Sequence, residues 1–337
     1  MFRRTPVRAS SVGAALLVAG LALTGCSRGE ALDQADSAAE PFAEPVTITN
    51  CDREATFEAP PQRIITMNHH VTETLVQMGA GDRIIGRAYA DRDTETIPEV
   101  ADEVAAIPAL ADEYPTWEEI VDLEPDMVVG GMRSAFDEKE GRSRDALEAE
   151  GINTFLFSEY CGEGFPDLGM LETDYSQLGS ILGLEEDADE LTNEIIDGLE
   201  EVRATLDAAG ISGTPTFFYD SGEDVPMTIG GVGIGQMVGD YAGADNIFTE
   251  GEKPYVKTTW EILGERQPEA VVVLDYGATS AADKIAYLKQ QPIMSTTPAV
   301  REDRFVVIPL DDLFQSSRMV TSAQTIAREL YPEAFGQ

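Results

Sequence analysis

One segment of this chain occurs twice. Residues 116–129 read TWEEIVDLEPDMVV and residues 259–273 read TWEILGERQPEAVVV. Each runs Thr-Trp-Glu, six residues, Pro, an acid, one residue and Val-Val, and these hold the only two tryptophans in 337 residues. Tryptophan, glutamate and proline in matching register point to two copies of one architecture. Thr116 and Glu119 have capping-box spacing, as do Thr258 and Glu261, so a helix is expected to start in each copy. The proline should end it before a buried parallel strand. Glu118 and Glu261 then occupy the first turns of equivalent helices.

Short apolar runs flank both copies. Ile64-Ile65, Ile84-Ile85, Met127–Val129 and Thr154–Phe157 read as strands, with helices expected over Val71–Met78 and Arg144–Glu150. A second strand series runs through Thr216–Tyr219, Val271–Leu274 and Phe305–Ile308. Between the series, Ala188, Leu191, Ile195, Leu199, Val202 and Leu206 step by three or four residues, one stripe of a long helix. The pattern predicts an α/β protein of two Rossmann-like lobes, each with a central, mostly parallel sheet, joined by that helix. The lobes are expected over 46–172 and 211–337, with the connecting helix region over 173–210.

The chain begins with Arg3, Arg4 and Arg8, then a 13-residue run, Ser11–Leu23, that is almost wholly apolar, then Leu23-Thr24-Gly25-Cys26. These are the parts of a secretory signal over 1–25, and the run is shorter than the about 20 residues a membrane span needs. L-T-G-C resembles a bacterial lipobox, which implies a lipid on Cys26 as the first mature residue. Residues 26–45, rich in Ala, Glu, Asp and Ser, read as a lipidated, flexible tether. The expected location is the extracytoplasmic face of the cell membrane, held by the anchor alone. The net charge of −39 becomes −42 without the leader, which carries three arginines and no acid. Such a surface argues against nucleic acid or anionic lipid as partner and suits a soluble monomer. Cys51 and Cys161 remain in an oxidising compartment, either as a disulfide or as two separate thiols.

PPQRIIT (60–66), LVQMGAGDRIIG (75–86) and the two T-W-E…P-[DE] segments, in this order, resemble the ABC-transporter substrate-binding proteins for iron–siderophore complexes and cobalamin. The resemblance runs from about Val46 to Phe335. It implies two lobes joined by one rigid helix, no intrinsic cofactor, an Fe(III)-siderophore as ligand, and cobalamin or haem as alternatives. It also implies a permease partner with basic pockets that receive one glutamate from each lobe, at Glu118 and Glu261.

Ligands of open α/β sheets bind beyond the carboxyl ends of strands. The loops there offer Asn68, His69, Tyr89, Arg133 and Tyr160 on the first half, and Tyr219, Tyr276 and Arg318 on the second. Tyrosine faces cover planar ligands and arginine forks meet anionic oxygens. His69 and His70 are the only histidines; one is expected in the cleft as a hydrogen-bonding group, the other packed or solvated, with no resident metal. A metal-ion receptor using either histidine with carboxylates is a second reading, and an enzyme on the same scaffold a third. No Ser-His-Asp order, G-x-S-x-G or paired-cysteine zinc site occurs, so the chain reads as a non-enzyme. The glycines of TIGGVGIG (228–235), without a clear strand before them, read as a turn into a helix over Gln236–Ala242 rather than a nucleotide loop.

Overall fold

The structure, a computed structural model, describes residues 39–90, 96–161, 167–250 and 253–336. The leader, Cys26 and most of the expected tether lie outside them. Ala38–Gln337 forms one unit. It opens with an antiparallel hairpin, β1 (Val46–Asn50) and β2 (Arg53–Phe57). A parallel sheet follows, made of β3 (Ile64–Thr66), β4 (Ile84–Arg87), β5 (Met127–Gly130) and β6 (Asn153–Leu156) in the order β4-β3-β5-β6. After β7 (Thr214–Tyr219) comes β8 (Met227–Ile229), then β9 (Ala244–Asn246) and β10 (Tyr255–Lys257). With β11 (Ala270–Asp275) and β12 (Phe305–Pro309) they complete a second parallel sheet, β12-β11-β7-β9, and an antiparallel ribbon, β8-β10.

The Val-Val runs are central strands because both of their faces are buried. Met127 and Val129 of β5 enter one apolar cluster and Val128 another. In β11, Ala270, Val272 and Leu274 point one way, and Val271 and Val273 the other. Side chains that alternate between two covered faces give the uninterrupted apolar runs seen in the sequence. The cluster holding Met127 and Val272 continues from one sheet to the other through the stripe Ala188–Leu206.

That stripe lies on a 24-residue helix, Glu185–Ala208, which packs on Leu168–Leu182, Ile234–Ala242 and Arg318–Leu330. The segment between the sheets is a pair of helices rather than one rod. Gly183, at φ +67°, ends Leu168–Leu182, and Glu185, Glu186 and Asp187 open the next helix, where acids are favoured.

The repeated segments share their turns. Helix Trp117–Val121 has Thr116 as N-cap with a complete capping box to Glu119. Helix Trp260–Arg266 starts from Thr259, whose hydroxyl accepts from the Ile262 N–H at 3.4 Å. The capping box expected between Thr258 and Glu261 is therefore absent: Thr258 is buried one residue before the cap, and the reciprocal position holds Ile262, which has no acceptor. Glu124 (φ 48°) and Gln267 (φ 47°) both take the left-handed conformation just before the proline. Two non-glycine residues in that sparsely populated region, at equivalent positions, support the duplication independently of the letters. Cys51 and Cys161 form a disulfide with Cα atoms 4.9 Å apart, tying the β1–β2 turn to the loop after β6.

Candidate ligand-binding site

In both sheets the chain reverses direction between two central strands. β3 connects outward to β4 and β5 to β6; β7 connects outward to β9 and β11 to β12. A crevice opens at the carboxyl ends of such pairs. Asn68 follows β3 and bridges the first reversal. Its Oδ1 accepts from the Gly131 N–H at 2.8 Å and its Nδ2 donates to the Tyr114 hydroxyl at 3.0 Å. Lys284 bridges the second, donating to the carbonyls of Asp220 (2.8 Å) and Leu274 (2.6 Å) with its Nζ 4.2 Å from the centre of the Tyr276 ring.

A cavity of about 270 Å³ lies where these crevices face each other, just below the range of small-ligand sites, roughly 300–1,000 Å³. The first half contributes Asn68, His69, His70 and Tyr89 to its wall; the second contributes Tyr276 and Asp311. Glu113, Met132, Leu310 and Phe314 complete it. Tyr89 holds φ 55° and packs edge-on against Tyr114 at 5.0 Å, a backbone strain of about 1–3 kcal/mol placed at the site. Both histidines are only 2% exposed, so neither meets solvent. His69 Nε2 lies 3.3 Å from Glu73, while the His70 ring stacks on Phe314 at 4.9 Å. Burial drives the His70 imidazole down to about 3, so it is neutral at physiological pH. A Cβ on residue 131 would run into His70 Nε2, which is why glycine stands there. Among the described residues, no three or more His, Cys, Asp or Glu side chains converge as a metal-ligand group.

Tyr89 and Tyr276 are the phenols of the cavity wall; Tyr255 stands close to Tyr276 and Asp311, and Tyr160 close to Tyr255, without lining it. Burial pushes Tyr160, Tyr255 and Tyr276 above the ordinary tyrosine range, with Glu159 adding to the rise at Tyr160 and Tyr255. They remain protonated hydrogen-bond donors at neutral pH.

The model of the family described as periplasmic binding protein matches residues 64–311. This chain belongs to that family. An ABC transporter substrate-binding lipoprotein of Bacillus subtilis, YvrC, is 24% identical over 97% of this chain and 98% of its own length. A vitamin B12-binding protein of Vibrio campbellii is 26% identical over 68% of this chain and 76% of its own. Among solved structures, a periplasmic binding protein from Veillonella parvula superposes with a TM-score of 0.75, at 22% identity, over 86% of this chain and 98% of that one. An ABC-type Fe3+-hydroxamate transport system structure from Saccharomonospora viridis gives 0.72, also at 22% identity, over 85% and 99%. Both share the fold of this periplasmic binding protein.

Its remaining candidate residues fall elsewhere. Arg133 is exposed and donates through Nε to the Tyr160 carbonyl at 2.5 Å, so it borders Tyr160 without lining the cavity. Tyr219 is buried against Phe217 and Trp260 behind the second sheet. Arg318 is 4% exposed and forks onto Glu73 of the other half at 2.6 and 2.7 Å, with Asp312 at 3.0 Å. Burial alone would raise the Glu73 carboxyl, but the hydrogen bonds from Arg318 and His69 outweigh it and hold the group near 2. Glu118 and Glu261 are both exposed in the first turns of their helices. Tyr255, Glu113 and Phe314 were not among the sequence candidates. They sit on a ribbon and two irregular segments rather than directly after a central strand. TIGGVGIG does follow a strand, the short β8, and its helix starts at Ile234. A Cβ on Gly230 or Gly231 would collide with the carbonyls of Lys253 or Thr249, so close backbone packing accounts for these glycines.

Proposed function

We propose that this chain is the extracytoplasmic receptor of an ABC importer, anchored through a lipid on Cys26, and that it captures an Fe(III)-siderophore between its two halves. The observation that carries the reading is the cavity walled from both sheets, with the protonated Tyr276 phenol, the Tyr89 ring and a neutral imidazole around it. Such a wall donates hydrogen bonds to the oxygen-rich face of a ferric complex and covers its apolar body with aromatic surface. The lipoprotein relative in Bacillus subtilis, alike over almost its whole length, supports the importer role. Glu118 and Glu261, exposed at equivalent helix starts, are the docking carboxylates in this reading, suited to basic pockets of a permease. Cobalamin is the second reading, favoured by the Vibrio campbellii relative.

The test is the thermal stability of the purified protein against ferric siderophores, cobalamin and haem. A ligand at 100 times its Kd adds about 2.7 kcal/mol. Stabilisation by a ferric siderophore alone supports the proposal, stabilisation by cobalamin alone replaces it with the second reading, and silence across the panel removes both.

A further inference from the structure

A second opening lies on the outer side of Tyr114. It has a volume of about 470 Å³ and is walled by Glu113, Tyr114, Trp117, Glu118, Glu140 and Arg142, with Pro115 and Thr116 between. Arg142 is its unusual member. The side chain is 5% exposed, its guanidinium lies 5.0 Å from the Tyr114 ring centre, and its one hydrogen bond among the described residues is a long contact from Nη2 to the Ser134 carbonyl at 3.4 Å. Nε and Nη1 are buried without an acceptor among the described residues. An unpaired buried cation is costly, and in a chain with 62 acids a partner carboxylate would be easy to supply.

The repeated tryptophans sharpen the point. In the second copy the Trp260 indole N–H donates to the Glu223 carbonyl at 2.8 Å. The Trp117 indole, half-buried in the wall of the opening, has no such partner among the described residues. Arg142 and Trp117 thus line one opening, the first with two buried donors and the second with an indole N–H that have no acceptor among the described residues.

We infer that this opening is a second binding site, separate from the cavity between the sheets, and that it takes a carboxylate carried beside cationic groups. The carboxylate answers Arg142 and Trp117 through charge-assisted hydrogen bonds. The cationic neighbours answer Glu113, Glu118 and Glu140, which are exposed around the opening and repel a lone anion. Two sources share this chemistry: an acidic side chain within a basic loop of a partner protein, and a free zwitterionic solute.

The two tryptophans make the test direct. In 15N-labelled protein, two indole N–H resonances are expected, assigned with Trp117→Phe. The probes are the peptide N-acetyl-Arg-Glu-Arg-amide, the same peptide with glutamine in place of glutamate, and free L-arginine. The Trp117 resonance is expected to move saturably with the glutamate peptide or with L-arginine, while the Trp260 resonance stays in place. A shift with the peptide alone assigns the site to a protein partner, and a comparable shift with L-arginine to a free solute. Arg142→Gln should weaken binding about tenfold or more, the loss of one charge-assisted contact. A Trp117 resonance unmoved by either probe overturns the inference, as does one moved equally by the glutamine peptide or in Arg142→Gln. Should that variant fail to fold, the glutamate–glutamine comparison on the native protein decides alone. Siderophore or cobalamin binding does not enter this readout, so either proposal can fail without the other.

Discussion

Glu159 lies where the two halves meet, near the Ile234 and Gln315 backbone N–H groups, with Asp174 also nearby. Burial raises its carboxyl from 4.5 to about 8, the two N–H groups offset part of that rise, and Asp174 adds to it. A group that holds its proton more tightly folded than unfolded contributes its full stabilisation below about 4.5, and loses it as pH climbs through about 8. Glu73 behaves oppositely: with its carboxyl held near 2, its contribution is present above 4.5 and is lost as pH falls through about 2. Between pH 5 and 9 Glu159 is in play and Glu73 is not; His70, driven down to about 3, acts only below about 6.5, and comparison with Glu159→Gln cancels its share. The melting temperature of the native protein should fall relative to Glu159→Gln as pH rises across that window. Parallel profiles for the two proteins would contradict the assignment.

At the scale of elements, helix His69–Gln77 and helix Arg318–Leu330 are joined across the seam by the Glu73–Arg318 fork and by Ser317 donating to Gln77 at 2.9 Å. Asp174 and Gln315 add a third link at 2.9 Å. Arg318→Met should lower stability by about 3–5 kcal/mol in urea unfolding, because Glu73 and Asp312 stay buried without their cation. Adding Glu73→Gln should recover part of that loss, whereas equal destabilisation in both variants would show that the fork is not the cause. Arg318 also marks where sequence reading stops. A lone arginine near the chain end has the look of a ligand contact, and its partner is 245 residues away. By contrast, β5, β11 and the helix Glu185–Ala208 were legible, since two-faced burial and a one-sided stripe each impose a period. The β8–β10 ribbon has three-residue strands, too short to show a period, and Tyr255 was lost with it. Asn68, His69, Tyr89 and Tyr276 were reachable from the rule that loops after the parallel strands line the crevice. Which side chains turn inward depends on packing, as Tyr219 shows.

For the whole molecule, the three cross-seam links and the helix pair between the sheets leave little room for a wide swing. Small-angle scattering with and without a bound ligand should show nearly unchanged overall dimensions, and a large compaction would contradict that rigidity. Charge reversal at Glu118 and Glu261 should abolish uptake in cells while leaving ligand affinity intact, because both lie on exposed first turns away from the cavity wall. Reduced affinity in the purified double variant would remove the docking role. The apolar cluster that runs without a break from β5 to β11 has a thermodynamic consequence. Neither half owns a complete interior, so heat should not melt one and spare the other. Scanning calorimetry of the unliganded protein should give a single endotherm whose van't Hoff and calorimetric enthalpies agree.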